Sequence, residues 1–160
     1  ATPDEEVPAT RLMAALFGGT PNSKLFLNVR EKLSLCYYCS ASYNSMKGIM
    51  LVQSGVEVKN MERAKEEILR QLDEVKQGNF DESEVEAAKM SLCNSYRTLS
   101  DSLGGLENWY LSQTFASHSQ QPEEAAAQIN AVTRQEIIDA ANRVTLDTVY
   151  CLVGNGEDAQ

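Results

Sequence analysis

Residues 35–58 read Leu35-Cys36-Tyr37-Tyr38-Cys39-Ser40-Ala41-Ser42-Tyr43, then Asn44-Ser45-Met46-Lys47-Gly48, then Ile49-Met50-Leu51-Val52-Gln53-Ser54-Gly55-Val56-Glu57-Val58. Two β-rich runs joined by a short polar link containing a glycine predict an antiparallel hairpin. A third run of the same character, 148–153, predicts another strand near the end of the chain.

The flanks of the hairpin are helical. Upstream, the apolar run from Leu12 to Phe17 predicts a helix that stops at Gly18-Gly19, and the turn formers Thr20-Pro21-Asn22-Ser23 follow. Ser23 is placed to cap a second helix carrying Phe26, Val29 and Leu33 at three- and four-residue spacing. Downstream, Asn60 opens a helix with apolar residues at 61, 64, 68, 72 and 75 and a stop at Gly78. Asp81 with Glu84 forms a capping box for a longer helix running to position 103, where Gly104-Gly105 interrupts. Leu106 to Phe115 resumes the pattern around Trp109; Pro122 suits a first turn, and Thr133 with Glu136 is a second capping box ahead of Ile137, Ile138, Ala141 and Val144.

The order is helix, helix, strand, strand, four helical segments, strand. That is an α+β architecture, an antiparallel sheet packed under helices, and residues 1–160 are expected to form one domain. Three strands are few for this much helix. The expectation is therefore a lobe that lacks its first strand.

Composition narrows the function. With 14 basic and 23 acidic residues the formal charge is −9 and the pI is near 4.6. Neither nucleic acid nor an anionic membrane is an expected partner, because both recruit clustered positive charge. The one histidine, His118, lies in a polar linker and reads as a surface residue. Zinc hydrolase sites usually draw two or three imidazoles and nucleophilic triads need a base, so no complete hydrolytic site is expected. No run of eighteen apolar residues is present and the first residues do not read as a signal peptide; the chain reads as soluble and cytoplasmic.

Four cysteines, at 36, 39, 93 and 151, do not form a secreted disulfide framework. Cys36-Tyr37-Tyr38-Cys39 matches the C-x-x-C spacing, but in a strand positions i and i+3 point to opposite faces, so the expectation is a pair of ordinary half-buried thiols. Glu66-Glu67 and Glu123-Glu124 read as solvated helix faces. Asp147 and Glu57 have no paired carboxylate at informative spacing and receive no role.

The run Lys24-Leu25-Phe26-Leu27-Asn28-Val29-Arg30-Glu31-Lys32-Leu33-Ser34-Leu35-Cys36-Tyr37, preceded by Phe17-Gly18-Gly19, resembles the C-terminal-half signature of the pitrilysin/insulinase family of zinc metallopeptidases. The element order from about residue 12 to 153, and the stretch Ile129-Asn130-Ala131-Val132-Thr133 with Glu136, agree with it. The resemblance implies the half of a LuxS- or processing-peptidase-like metallopeptidase fold that carries no zinc-binding HxxEH helix. Such a lobe closes over a peptide substrate from the side opposite the zinc. Any zinc would belong to the parent enzyme, in an N-terminal catalytic-type domain or a paralogous subunit, and none to this chain.

In such lobes an Arg and a Tyr seven positions apart reach toward the catalytic half, and here Arg30 and Tyr37 hold those positions. A guanidinium is a rigid fork of donors suited to peptide carbonyls, and a phenol can donate to an oxyanion. Gly18 and Gly19 are candidate substrate-binding positions, since glycine lets another backbone pass close by. Where the family often has Ser-Arg-Leu and Arg-Glu-Lys-x-Gly-Leu, this chain has Ser23-Lys24-Leu25 and Leu33-Ser34-Leu35. Two readings follow: a substrate-binding lobe of an active peptidase, or a domain of an inactive homologue that serves as a binding or scaffolding subunit. A third, from another class, is a small-ligand regulatory domain unrelated to peptidases.

Overall fold

The computed structural model describes residues 1–114 and 119–154; His118 lies outside the described residues. Among the described residues, six α-helices pack on one face of a single hairpin. The first, α1 (Val7–Ala14), starts on Pro8 and continues without a break into a π-helical turn, Ala15–Gly19. It is the central helix of the fold, because Leu12, Met13, Leu16 and Phe17 are all buried. A second π-helical stretch, Leu25–Lys32, leads to the hairpin strands β1 (Tyr38–Asn44) and β2 (Ile49–Gly55). The rest is helical: α2 (Met61–Lys76), α3 (Glu82–Leu99), α4 (Leu103–Thr114), α5 (Pro122–Ala131) and α6 (Arg134–Asn142).

The strands pair antiparallel in a register that sets Tyr38 opposite Gly55 and Asn44 opposite Ile49. In β1 the period of two sends Cys39 and Ala41 into the core and leaves Tyr38, Ser40 and Ser42 outside. Helices cover the inner face only, which is the α+β layering expected from the element order. The apolar interior is one cluster that holds Leu12 and Met13 of α1, Leu25 and Val29 of the π-helix, Val75 of α2, Ile129 of α5 and Ile137 of α6.

The local signals at the helix ends are realised. Asp81 accepts from the Glu84 amide at 2.9 Å while Glu84 accepts from the Asp81 amide at 2.8 Å, and Thr133 with Glu136 repeats the arrangement. Gly78 takes φ +76°, the left-handed conformation that ends α2.

Three expectations are corrected. Residues 148–153 form no strand: a strand exists only as one side of a ladder, and among the described residues no segment pairs with this run, so Tyr150 and Leu152 stand 82% and 85% exposed. Gly104 and Gly105 do not interrupt a helix; they lie in the first turn of α4. Asn60 makes no side-chain cap and instead closes a short 3₁₀ turn, Val58–Asn60, that runs into α2.

Candidate functional site

Arg30 sits in the last turn of the π-helix, and its position is fixed from below. The wider winding is closed by the Leu33 amide donating to the Asn28 carbonyl at 3.2 Å, five residues back. The side chain of Asn28 donates to Gln71 Oε1 at 2.8 Å, and Gln71, only 2% exposed on α2, donates to Glu67 at 2.7 Å. A buried amide of this kind must have its hydrogen bonds made, so the winding is tied to α2 at one register. Ser34 then turns the chain with φ +49°, and the Leu35 amide donates to the Val29 carbonyl at 3.1 Å.

That turn brings Arg30 and Tyr37 together. Arg30 Nε donates to the carbonyl of Tyr37 at 2.9 Å, Nη1 pairs with Glu31 at 3.2 Å, and the guanidinium carbon lies 4.7 Å from the centre of the Phe26 ring. The Tyr37 amide donates to the Gly55 carbonyl at 2.7 Å, extending the ladder one step beyond β1. Its ring is 68% exposed, and its hydroxyl donates to Glu57 Oε1 at 3.3 Å. Together with Glu31, Cys36, Glu57 and Asn60, the pair lines an open groove of about 400 Å³.

Glu57 belongs to this groove, and sequence reasoning passed it over. It pairs with Lys59 at 2.6 Å. The Lys59 ammonium, by hydrogen bond and by charge, holds the Glu57 carboxyl below the usual carboxylate range, with a smaller contribution from the Tyr37 hydroxyl; Glu57 in turn raises Lys59. The legible signal was two opposite charges two residues apart, Glu57-x-Lys59, just past a strand; in the structure Glu57 precedes the 3₁₀ turn that carries Lys59.

The two glycines lie elsewhere. Gly18 is buried, and a Cβ built on it would stand 2.7 Å from the Ala41 Cβ and 2.8 Å from the Ala41 amide nitrogen, so the backbone that passes close to it is that of β1. Gly19 is exposed, with Ala14 as its neighbour. Neither lines the Arg30–Tyr37 groove.

The cysteine pair also differs from the strand reading. Cys36 precedes β1 rather than lying in it, so alternation does not separate the thiols: burial, and next the adjacent Cys36, push the Cys39 thiol up to about 12. Among the described residues all four cysteines are free and no group of three or more His, Cys, Asp or Glu is placed to hold a metal. The groove does not fit zinc, since its two carboxylates are each engaged by a cation.

An arginine and a tyrosine are thus joined at one open groove, at the edge of a short antiparallel hairpin under a helical layer. Residues 1–92 match the family described as Peptidase M16 inactive domain, and the chain belongs to that family. It is 39% identical over 151 residues to a protein of Bacillus subtilis (strain 168) described as the probable inactive metalloprotease YmfF, a match covering 94% of this chain and 35% of that protein. It is 28% identical over 149 residues to an uncharacterized zinc protease of Rickettsia bellii (strain RML369-C), covering 88% and 34%. Among solved structures, a conserved protein from Enterococcus faecalis V583 is similar at a TM-score of 0.80 and 39% identity, over 88% of this chain and 33% of that one. A protease from Helicobacter pylori superposes with a TM-score of 0.78 at 15% identity, over 88% and 34%, a likeness of fold. The chain spans about a third of the length of the relatives it matches.

Proposed function

We propose that this domain is the substrate-binding, non-zinc lobe of an M16-type protein, and that Arg30 and Tyr37 contact an extended peptide held in the groove between this lobe and an N-terminal catalytic-type domain or paralogous subunit. The observation that carries the reading is the direct Arg30 Nε to Tyr37 carbonyl bond at 2.9 Å, which aims a guanidinium and a phenol at one open groove. The guanidinium supplies donors for peptide carbonyls, and the phenol a donor for an oxyanion that develops on the scissile carbonyl. Zinc, where the parent protein carries it, belongs to the other half. Free thiols throughout the described residues fit a reducing compartment such as the cytoplasm.

The test is substitution in the full-length protein. Arg30→Ala and Tyr37→Phe should each lower peptide turnover, by about 100-fold or more for a lost oxyanion donor. Unchanged turnover in both variants refutes the assignment. A second reading, a binding or scaffolding subunit that cuts nothing, is favoured by the 39% identity to a protein described as probably inactive. Under it the wild-type protein shows no turnover, and the same substitutions weaken peptide binding.

A further inference from the structure

A phenol has one proton, and in this structure the proton of Tyr37 is committed. It is donated to Glu57 Oε1 at 3.3 Å, which is long against the 2.7–2.8 Å usual for O–H···O bonds. Glu57 itself is held in place, because Lys59 grips its other oxygen at 2.6 Å. All three side chains are exposed, and the contact with Glu57 is the hydrogen bond that engages the phenol. While Glu57 holds the proton, the Tyr37 hydroxyl can offer an incoming peptide only its lone pairs. It can accept from an N–H, but it cannot donate to a carbonyl.

We infer that Glu57 is a third residue of this site, a positioning residue that parks the Tyr37 hydroxyl and releases it when a peptide carbonyl competes for the proton. The inference rests on the reading that Tyr37 contacts peptide. The geometry supports exchange rather than a permanent lock. Tyr37 is tied through its backbone, by the Gly55 carbonyl on one side and Arg30 on the other, so the ring can swing while its Cα stays in place. Glu57 is a carboxylate and so accepts only, and the contact with Lys59 at its other oxygen leaves Oε1 for the phenol. The bond to be given up is exposed and stretched, a modest contact that a competing carbonyl can replace. Binding of a peptide therefore trades one weak contact for another, and the strength of the Glu57 contact sets how readily the site takes a carbonyl.

The consequence runs opposite to that of an ordinary binding residue: removing Glu57 should improve binding. The experiment is a double-mutant cycle in the full-length protein, with a fluorescein-labelled, carboxymethylated unfolded polypeptide as probe and anisotropy as readout. Glu57→Ala should tighten binding by about 3-fold to 10-fold, the equivalent of one modest hydrogen bond no longer broken. In the Tyr37→Phe background the same substitution should change affinity less than 2-fold, because a phenylalanine has no proton to release; this arm also subtracts the general effect of removing a negative charge. Weaker binding by Glu57→Ala, or equal tightening in both backgrounds, overturns the positioning role while leaving the site reading intact. If Tyr37→Phe has no effect on affinity in either background, the site reading itself fails and the role of Glu57 falls with it.

Discussion

Replacing Gly18 by alanine should destabilise this domain even though alanine is the better helix former. Gly18 lies in the π-helical turn that continues α1, and a Cβ there would meet the Ala41 Cβ and the Leu25 Cδ1 at 2.7 Å each and the Ala41 amide nitrogen at 2.8 Å. Carbon atoms pack best at about 3.5–4.0 Å, so relief requires close to 1 Å of movement. Leu25 can rotate away in part. The Ala41 nitrogen cannot, because it belongs to β1 and is carried by the ladder with β2. Overpacking of this kind costs about 1–3 kcal/mol, with the upper part of that range expected where backbone must shift. The entropy gained by losing a glycine offsets about 0.4–1 kcal/mol. The net is a loss of about 2 kcal/mol, or a fall in Tm of about 4–8 °C for a chain of this size. Gly104 supplies the contrast, since nothing lies within 4 Å of a Cβ built there; Gly104→Ala should stabilise by about 0.5–1 kcal/mol. Urea unfolding of the two variants and the parent, followed by far-UV circular dichroism and by the fluorescence of the single tryptophan, Trp109, measures both shifts. A Gly18→Ala protein as stable as the parent refutes the claim that β1 is packed against this turn, and equal shifts in both variants refute the steric argument altogether.

Ser34 holds φ +49°, a left-handed conformation with a cost for any residue carrying a Cβ, and Ser34→Gly should raise unfolding stability by about 1 kcal/mol in the same urea assay. The capping carboxylates give a pH dependence of known sign. Hydrogen bonds from Ser83 and the Glu84 amide lower Asp81 from its usual 3.8, and bonds from Thr133 lower Glu136 from its usual 4.5. Groups depressed on folding stabilise fully above their unfolded values and lose that contribution as pH falls through their lower folded values, so the urea midpoint should decline below about pH 4.5. Thr133→Ala should cost about 0.5–2 kcal/mol at neutral pH and shrink that acid decline; an unchanged midpoint at both pH values would show that the box contributes nothing.

What could be read from the sequence was whatever is settled locally. The capping boxes at Asp81 and Thr133 bring side chain and backbone together within four residues, so the letters themselves carry the signal, and Gly78 marks its turn for the same reason. Signals that depend on a partner did not survive in the same way. Residues 148–153 have the composition of a strand, but composition does not supply the neighbour that a ladder requires. The π winding of Leu25–Lys32 is not legible because a segment with helical spacing is an α-helix by default, and the hydrogen bond that ties this winding to α2, Asn28 to Gln71, spans 43 residues. The pairing of Arg30 with Tyr37 came from the family resemblance, and their contact through a backbone carbonyl came only from the fold. Glu57 carries no signal as a paired carboxylate, because its partners are a phenol and an ammonium that the fold brings to it.

The departure from the family pattern at Ser34 bears on stability and leaves the site in place. The turn between the π-helix and β1 must reverse the chain within a few residues for Arg30 to reach the Tyr37 carbonyl, and a left-handed residue is what reverses it. Glycine would take that conformation freely; serine takes it at a cost of about 1 kcal/mol. The cost is met because the turn is closed by two backbone bonds, Leu33 to Asn28 at 3.2 Å and Leu35 to Val29 at 3.1 Å, and because Leu35 is buried on its far side. Those contacts fix the turn whichever residue occupies position 34. Ser34 lines the groove, but those backbone bonds and not its side chain hold the turn, so Ser34→Gly should raise stability with less than about a 2-fold change in peptide affinity, whereas Arg30→Ala should weaken peptide binding with little change in stability, since the guanidinium is half-exposed and its ion pair lies at the surface. If Ser34→Gly shifts the peptide affinity as strongly as it shifts the urea midpoint, the turn and the site are a single cooperative unit, and the serine is part of the recognition surface.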